Sequence, residues 1–312
     1  MHQTLTRAFT VATLAVAMSA AAVWAHASGA PQRAAAALAA ALVFHASFDG
    51  GVNARVAAGD PALYWAPTWN RRQEAQPGLP PSGDTRHAAG AGRFGDAIQF
   101  TRRGAPVVFF NGGPNSPYAE RNWQGAASLW LSTDPDGELQ PGFCDPIQLL
   151  GRAWNDASLW VEFEKRPTDV PFRLGVYADL DVWNPTKRRI QDIPSAERPL
   201  LTVDRPPFAK DKWTHVVFTW ESFNTGRPDG VARLYLDGQP HGALTGRQQT
   251  FTWDPARSAI TLGLNYVGLL DDLALFNRAL TGAEVDALYR LERGVAALGR
   301  LPQGGRVEPA GF

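Results

Sequence analysis

An all-β sandwich or barrel is the fold that the sequence predicts, on three observations. Gly and Pro occupy 54 of the 312 residues, above the usual share of roughly 12%, which favours short elements joined by tight turns. About twelve short alternating or apolar runs recur between residues 42 and 276, each bounded by Gly, Pro, Asn or Asp. Only one stretch, near residue 281, carries a convincing helical pattern. Hydrophobic residues at 45% and aromatics at 11%, with 11 Trp, allow an extended core and argue against wholesale disorder. The 30 basic and 30 acidic side chains cancel, which argues against a nucleic-acid partner.

The chain reads in four segments. Residues 1–27 hold one basic residue, Arg7, a mostly apolar run over 8–25 and the small-x-small end Ala25-His26-Ala27, the pattern of a cleaved signal peptide. It predicts export to the periplasm or exterior. No later stretch is apolar for the roughly 18 residues that a span needs, so no membrane span is expected in the mature form. Residues 28–41 form an Ala-rich linker with helical leanings. Residues 42–292 form the domain, with strand-like runs at 42–48, 97–100, 107–110, 127–131, 147–150, 159–163, 172–181, 200–203, 214–220, 232–236, 260–264 and 270–276. Asp237-Gly238 predicts a hairpin turn, because both residues tolerate positive φ. Thr281-Gly282-Ala283-Glu284 is a capping box, and Val285, Leu288, Tyr289 and Leu291 give the helix that follows an apolar face. Residues 293–312 read as a frayed tail. Two long segments, 50–95 and 183–199, break the strand pattern, and connections of that length tend to be functional or mobile.

Three stretches in the second half carry a resemblance: Lys212-Trp213-Thr214-His215-Val216-Val217-Phe218-Thr219, then Arg233-Leu234-Tyr235-Leu236-Asp237-Gly238, then Gly268-Leu269-Leu270-Asp271-Asp272 through Phe276, Arg278 and Leu280. In the first half Phe48-Asp49-Gly50, Gly95 to Phe100 and Ser128-Leu129-Trp130-Leu131 fit the same pattern. In order and spacing these motifs resemble bacterial laminin-G-like domains of the concanavalin A-like lectin/glucanase superfamily. The resemblance covers roughly residues 42–292. It implies a jelly-roll sandwich of two antiparallel sheets with one short C-terminal helix, one sheet being concave and often holding a saccharide groove. It does not choose among lectins, adhesion modules, hydrolases and lyases, all of which use this sandwich.

Asp271 shares its strand face with Leu273 and Leu275, so it is expected to point inward and Asp272 outward. The resemblance implies a structural calcium at Asp271, with Asp49 and nearby carbonyls completing the six to eight oxygens that calcium takes. The alternative is that Asp271 caps backbone amides. A groove is expected where Trp160, Glu162 and Glu164 alternate with apolar Leu159, Val161 and Phe163, and where Arg173, Tyr177, Asp179 and Trp183 share a second strand face. Aromatic rings cover the apolar faces of sugars, while carboxylates and Arg take their hydroxyls. An ordinary solvated sheet face is the alternative.

The expected function is an exported, non-catalytic glycan-binding module for a saccharide or cell-surface glycan. Glu162 and Glu164, two apart on one strand face, permit a hydrolase or lyase reading in which they act as acid and base or nucleophile. The laminarinase-type pattern E-x-D-x-x-E is absent, since Glu162-Phe163-Glu164 runs into Lys165, Arg166 and Pro167. A third reading is a protein-interaction or envelope scaffold that makes its contact through residues 50–95. His215, Trp213, Trp130, Phe218 and Trp220 are expected in the scaffold; Trp65, Trp69, Trp123, Trp154 and Trp253 lie near turns and are candidates for exposure. Gly90-Ala91-Gly92-Arg93-Phe94-Gly95 matches G-x-G-x-x-G but runs into a strand, so it reads as a turn. Cys144, the only cysteine, reads as a structural thiol.

Overall fold

A computed structural model describes residues 32–299. The leader read at 1–27 lies outside the described residues, as does the tail from 300 onward. Residues 32–41, within the segment read as a linker, are helical (α1). The unit from Ala41 to Ala297 carries the rest. No helix among the described residues is long and apolar enough to cross a membrane.

In chain order the strands are β1 (Leu42–Ala46), β2 (Val56–Ala57), β3 (Leu63–Ala66), β4 (Gln76–Pro77), β5 (Thr85–Ala88) and β6 (Ala97–Phe100). Next come β7 (Val107–Asn111), β8 (Trp123–Ser132), β9 (Gly142–Ala153), β10 (Asp156–Lys165), β11 (Phe172–Tyr177) and β12 (Leu200–Val203). The last are β13 (Trp213–Phe223), β14 (Gly230–Leu236), β15 (Gln239–Arg247), β16 (Ala259–Leu264) and β17 (Gly268–Phe276). Two short helices, α2 (Leu180–Trp183) and α3 (Gly282–Tyr289), complete the regular elements used below.

These strands form two antiparallel sheets. One runs β15-β14-β13-β8-β17-β1-β2, with β6 and then β5 branching from β17; the other runs β12-β11-β10-β9-β16-β7-β3-β4. The predicted two-sheet sandwich is present, and it is the concanavalin A-like arrangement. Period-two alternation sends one face of each sheet into a shared core. Leu159, Val161 and Phe163 of β10 and Leu174 and Val176 of β11 are fully buried in that core.

Trp123 anchors one end of the core. Its ring meets those of Trp220, Phe223, Phe251, Trp253 and Tyr118 at centroid separations of 4.9–5.8 Å. Trp123 and Trp253 are therefore buried, although their neighbouring turns suggested exposure. The core also takes Trp130, Phe218, Trp220 and Cys144, and burial pushes the Cys144 thiol up to about 11, consistent with an inert structural role. His215 is buried against Trp130 and Tyr289, which also stack on each other, bonds Ser128 Oγ at 2.9 Å, and is held down to about 3 by burial alone.

The local signals read from sequence are in place at the hairpin and the helix. Asp237 and Gly238 take φ of 49° and 77° between β14 and β15. At α3 the Glu284 amide donates to Thr281 Oγ1, while the Thr281 amide donates to the Glu284 carboxylate, closing the capping box. Arg278 beside Glu284 holds that carboxylate at about 2. The run predicted as one strand over 172–181 instead ends at Tyr177, and α2 follows. Residues 50–95 are not structureless: they contribute β2 to β5.

Gly263 tests the sandwich most locally. It has φ of +66°, and a Cβ there would lie 2.0 Å from the Phe100 ring. Gly263→Ala combines a left-handed backbone penalty with overpacking and is expected to cost about 2–4 kcal/mol, read as a lowered urea midpoint at unchanged slope. A midpoint within error of the parent would contradict this packing.

Candidate functional site

The candidate site lies on the face of β9, β10, β11 and β12 turned away from the core. Cross-strand partners share a face, and the register sets Glu162 opposite Arg173 and Trp160 opposite Gly175 and Gln148. A bulge between Val161 and Phe163 brings Asp145 of β9 into the same row. The result is a pocket of about 310 Å³ whose lining includes Trp160, Glu162, Arg173, Tyr177, Asp145 and Gln148.

Gly175 opens its floor. A Cβ at that position would lie 2.3 Å from the Trp160 ring, so only glycine lets the indole lie flat across β11. Tyr177 stacks on that indole at 5.5 Å and 18°, and Trp160 Nε1 donates to the Trp154 carbonyl at 2.7 Å. Trp160 and Tyr177 are 2% and 1% exposed, so they form the base of the pocket and not the open platform that a solvated strand face would offer.

The rim supplies the accessible rings. Phe143 and Trp154 are 51% and 46% exposed and are the exposed large hydrophobic side chains among the described residues; both line this pocket. Trp154 is accessible because it sits at the tip of the β9–β10 hairpin, where Ala153 pairs with Asp156. Ile190 and Arg198, from the 183–199 segment, wall another side.

Arg173 ties the charges together. Its Nε donates to Glu162 Oε1 at 2.8 Å, its Nη2 bonds the same oxygen, and its Nη1 donates to Glu164 Oε2 at 2.9 Å. Phe143 covers the guanidinium, its ring centroid 5.2 Å from Cζ. Asp145 accepts from Gln148 Nε2 at 3.0 Å. Burial, and for Glu162 also the Asp145 charge, raises both carboxyls well above the ordinary carboxylate range. The two therefore titrate as a pair that keeps a proton near neutrality.

The predicted site residues divide. Trp160, Glu162, Arg173 and Tyr177 come together in the pocket, and Glu164 joins through Arg173 without lining it. Asp179 and Trp183 do not share the strand face, because the chain turns into α2 after Tyr177. They line a neighbouring depression, where Asp179 pairs with Arg152 at 2.6 Å and Trp183 Nε1 donates to the Asn155 carbonyl. Glu162 and Glu164, read as an acid and base pair, instead share one arginine. Asp145, Gln148, Phe143 and Arg198 were missed. The alternation of β9 was hidden by its bulge, whereas Trp154 was flagged by the turn beside it.

Asp49 and Asp271 also meet, on the loop before β6. Asp49 Oδ1 accepts from the Asp96 amide at 3.0 Å, Asp271 Oδ2 from the Phe94 amide at 3.0 Å and Asp271 Oδ1 from the Asp272 amide at 2.6 Å. Burial raises Asp271 to about 7. Three of their four carboxylate oxygens thus face N–H donors, the amide-capping role weighed against calcium. Asp271 was expected inward, but it pairs with Trp130 on the sheet face turned away from the core, because the bulge after it shifts the alternation; Asp272, with φ of 50°, is on that outer face as expected, yet buried there by bonds to His45 Nε2 at 2.7 Å and the Val295 amide at 2.9 Å.

Comparison with known proteins gives the same class. Residues 157–286 match the family described as the concanavalin A-like lectin/glucanases superfamily. The match takes in strands β10 to β17 and most of α3, so the second half of the chain is similar to that family. Among solved structures it is similar to the binding domain of botulinum neurotoxin serotype D, at 11% identity and a TM-score of 0.51, over 82% of this chain and 52% of that one. It is similar as well to the receptor binding domain of the mosaic serotype C/D neurotoxin, at 10% identity and 0.50, over 81% and 51%. The chain thus spans about half the length of these neurotoxin domains. Domain 4 of AbnA, an extracellular arabinanase from Geobacillus stearothermophilus solved with arabinotriose, aligns at 17% identity and 0.49, over 80% and 98%. No curated protein matches the chain.

The acid pair gives the site a pH signature. Asp145 and Glu162 bind protons more tightly folded than unfolded, so their contribution to stability is complete below the unfolded values near 4 and is lost as pH rises through neutrality. Asp145→Asn is expected to raise Tm relative to the parent at pH 8–9 while leaving the difference near zero or reversed at pH 5. Parallel Tm profiles across that range would contradict the shared proton.

Proposed function

We propose that this protein is an exported, non-catalytic carbohydrate-binding module whose ligand lies in the Trp154–Phe143 pocket. The observation that carries the reading is the position of those two exposed rings at the rim of a recess with an aromatic base, Trp160 and Tyr177, beside the polar groups of Glu162, Arg173, Asp145 and Gln148. A protein leaves large aromatic side chains in water at a net cost unless a partner covers them. A flat ring beside fixed donors and acceptors suits a pyranose or furanose, which presents apolar C–H faces and a rim of hydroxyls. Glu162 and Arg173 hold each other rigidly, so a sugar hydroxyl would meet polar groups already oriented, which lowers the ordering cost of binding. Export rests on the leader pattern at residues 1–27 and fits a ligand outside the cytoplasm.

The test is a glycan and polysaccharide array probed with residues 28–312, followed by titration calorimetry on the strongest hit. Trp154→Ala and Phe143→Ala are each expected to weaken binding by about tenfold or more, as loss of a stacking ring of 1–2 kcal/mol requires, with Tm within about 2 °C of the parent because neither ring is in the core. Binding unaffected by both substitutions would remove the pocket from the reading, and product release on the array would replace the binding module with an enzyme.

A further inference from the structure

The recess beside Trp154 is not the only depression on this sheet face. Phe109 of β7 pairs with Thr261 of β16, Thr261 with Gln148 of β9, and Gln148 with Trp160 of β10, so all four side chains stand on one face. Gln148 and Trp160 line the pocket already described, and Phe109 lines a second depression of about 730 Å³. Strands β10 and β3 are four strand spacings apart, which places Trp160 at the far side of one recess about 19 Å from Tyr64 at the far side of the other.

The second depression has an unusual charge composition. It is lined by Arg72, Arg152 and Arg257 and by no Asp or Glu. Arg152 is neutralised by Asp156 and Asp179. Arg72 and Arg257 form no ion pair among the described residues, although 19 ion pairs occur there, so carboxylates are not scarce. Arg72 is held in place: its Cζ lies 3.6 Å from the Trp69 ring centroid and its Nη2 donates to the Arg257 carbonyl at 3.0 Å. Tyr64 stacks on Phe109 at 6.1 Å, giving the depression an aromatic floor. In the first pocket Arg198 likewise lacks an acid partner; its Nε donates to the Ile193 carbonyl, which leaves its Nη groups to the pocket. Arg198 forms no ion pair among the described residues, and it shares the pocket with the acid pair Asp145 and Glu162, so the uncompensated cations of this face are those of the second depression. In a chain with equal numbers of acidic and basic residues, this face concentrates three unpaired guanidiniums beside aromatic surfaces. Guanidinium is the donor best matched to carboxylate and sulfate oxygens.

We propose that the ligand is an anionic saccharide chain, bearing carboxylate or sulfate groups, that runs along this face from the Trp154 pocket to the Trp69–Arg72–Arg257 depression. The inference rests on the saccharide reading above and adds its charge and its extent. One anionic group meets Arg198, and another, several sugars along the chain, meets Arg72 and Arg257. A short fragment reaches only one of the two recesses, so affinity grows with chain length through the linkage of two contacts. Because each contact is partly electrostatic, binding weakens as salt rises.

Titration calorimetry with four probes decides the question: a uronate hexamer, a uronate dimer, a sulfated neutral-sugar hexamer and the unsulfated form of that hexamer. The parent protein is expected to bind at least one anionic hexamer about tenfold more tightly than the neutral one, with loss of affinity between low and 0.5 M NaCl; the uronate and sulfated arms distinguish which anion is read. The double variant R72Q/R257Q is expected to lose about tenfold for the anionic hexamer and to leave any dimer binding unchanged. Arg86→Gln, on β5 of the other sheet, is the control for bulk charge and is expected to change nothing. Equal, salt-independent binding of the neutral hexamer, with dependence on Trp154, would overturn the anionic ligand while leaving the saccharide reading intact. Equal losses in Arg86→Gln and R72Q/R257Q would overturn the second contact as non-specific attraction, and no binding of any probe together with a silent glycan array would overturn both.

Discussion

The ion pair between Arg173 and Glu162 is the constraint on which the site depends. Both residues are less than a tenth exposed, and without Arg173 the Glu162 carboxyl would lose its cationic partner inside the sheet face, while Arg173 would keep only Glu164. Breaking such a pair from one side costs about 3–5 kcal/mol, so the geometry of β10 and β11 at this point is fixed by electrostatics as much as by the core beneath. Around it, Glu164 fills the remaining fork of the guanidinium, Phe143 covers its face, and burial together with the neighbouring Asp145 raises the Glu162 carboxyl. Trp160 and Tyr177 stack one row away, over the space left by Gly175. A recess with an aromatic base, a fixed charged cluster beside it and accessible rings only at the rim follows from these few contacts.

The two faces of one alternating strand explain why the fold was more legible than the site. The motifs on β13, β14 and β17 are core and turn patterns, which fix the fold and say little of the site. Trp130, Phe218 and Trp220, the Asp237-Gly238 turn and the Thr281–Glu284 capping box all occupy the places that their patterns implied. Period two also assigned Trp160, Glu162, Arg173 and Tyr177 to one face. It failed where the backbone departs from period two. The β9 bulge concealed Asp145, the end of β11 at Tyr177 removed Asp179 and Trp183 from the strand, and the bulge at the left-handed residue Asp272 moved Asp271 off the core face. Burial was the other gap. Sequence gives the face of a side chain but not what covers it, so the hairpin tip at Trp154 and the segment bearing Ile190 and Arg198 turned an expected open strip into a recess.

The division of labour between the sheets follows. The nine-stranded sheet spends its polar residues on internal support: His45 on Asp272, His215 on Ser128, and Asp49 and Asp271 on the amides of the loop before β6. The eight-stranded sheet holds its outer polar groups in recesses, with aromatic rings at both ends and arginines that find no acid within the fold. Residues 50–95 and 183–199, which interrupt the strand pattern, supply side chains to those recesses: Tyr64, Trp69 and Arg72 from the first, Ile190 and Arg198 from the second. A sandwich common to many functions is in this way made specific by its insertions.

The most direct measurement is a crystal structure of the protein grown with the oligosaccharide that binds it best in solution. The account predicts a sugar ring packed against Trp154 or Phe143, with its hydroxyls or acid groups within hydrogen-bond distance of the Arg173–Glu162 pair or Arg198. An ordered ligand seated on the nine-stranded sheet, with the Trp154 pocket filled only by water, would contradict it.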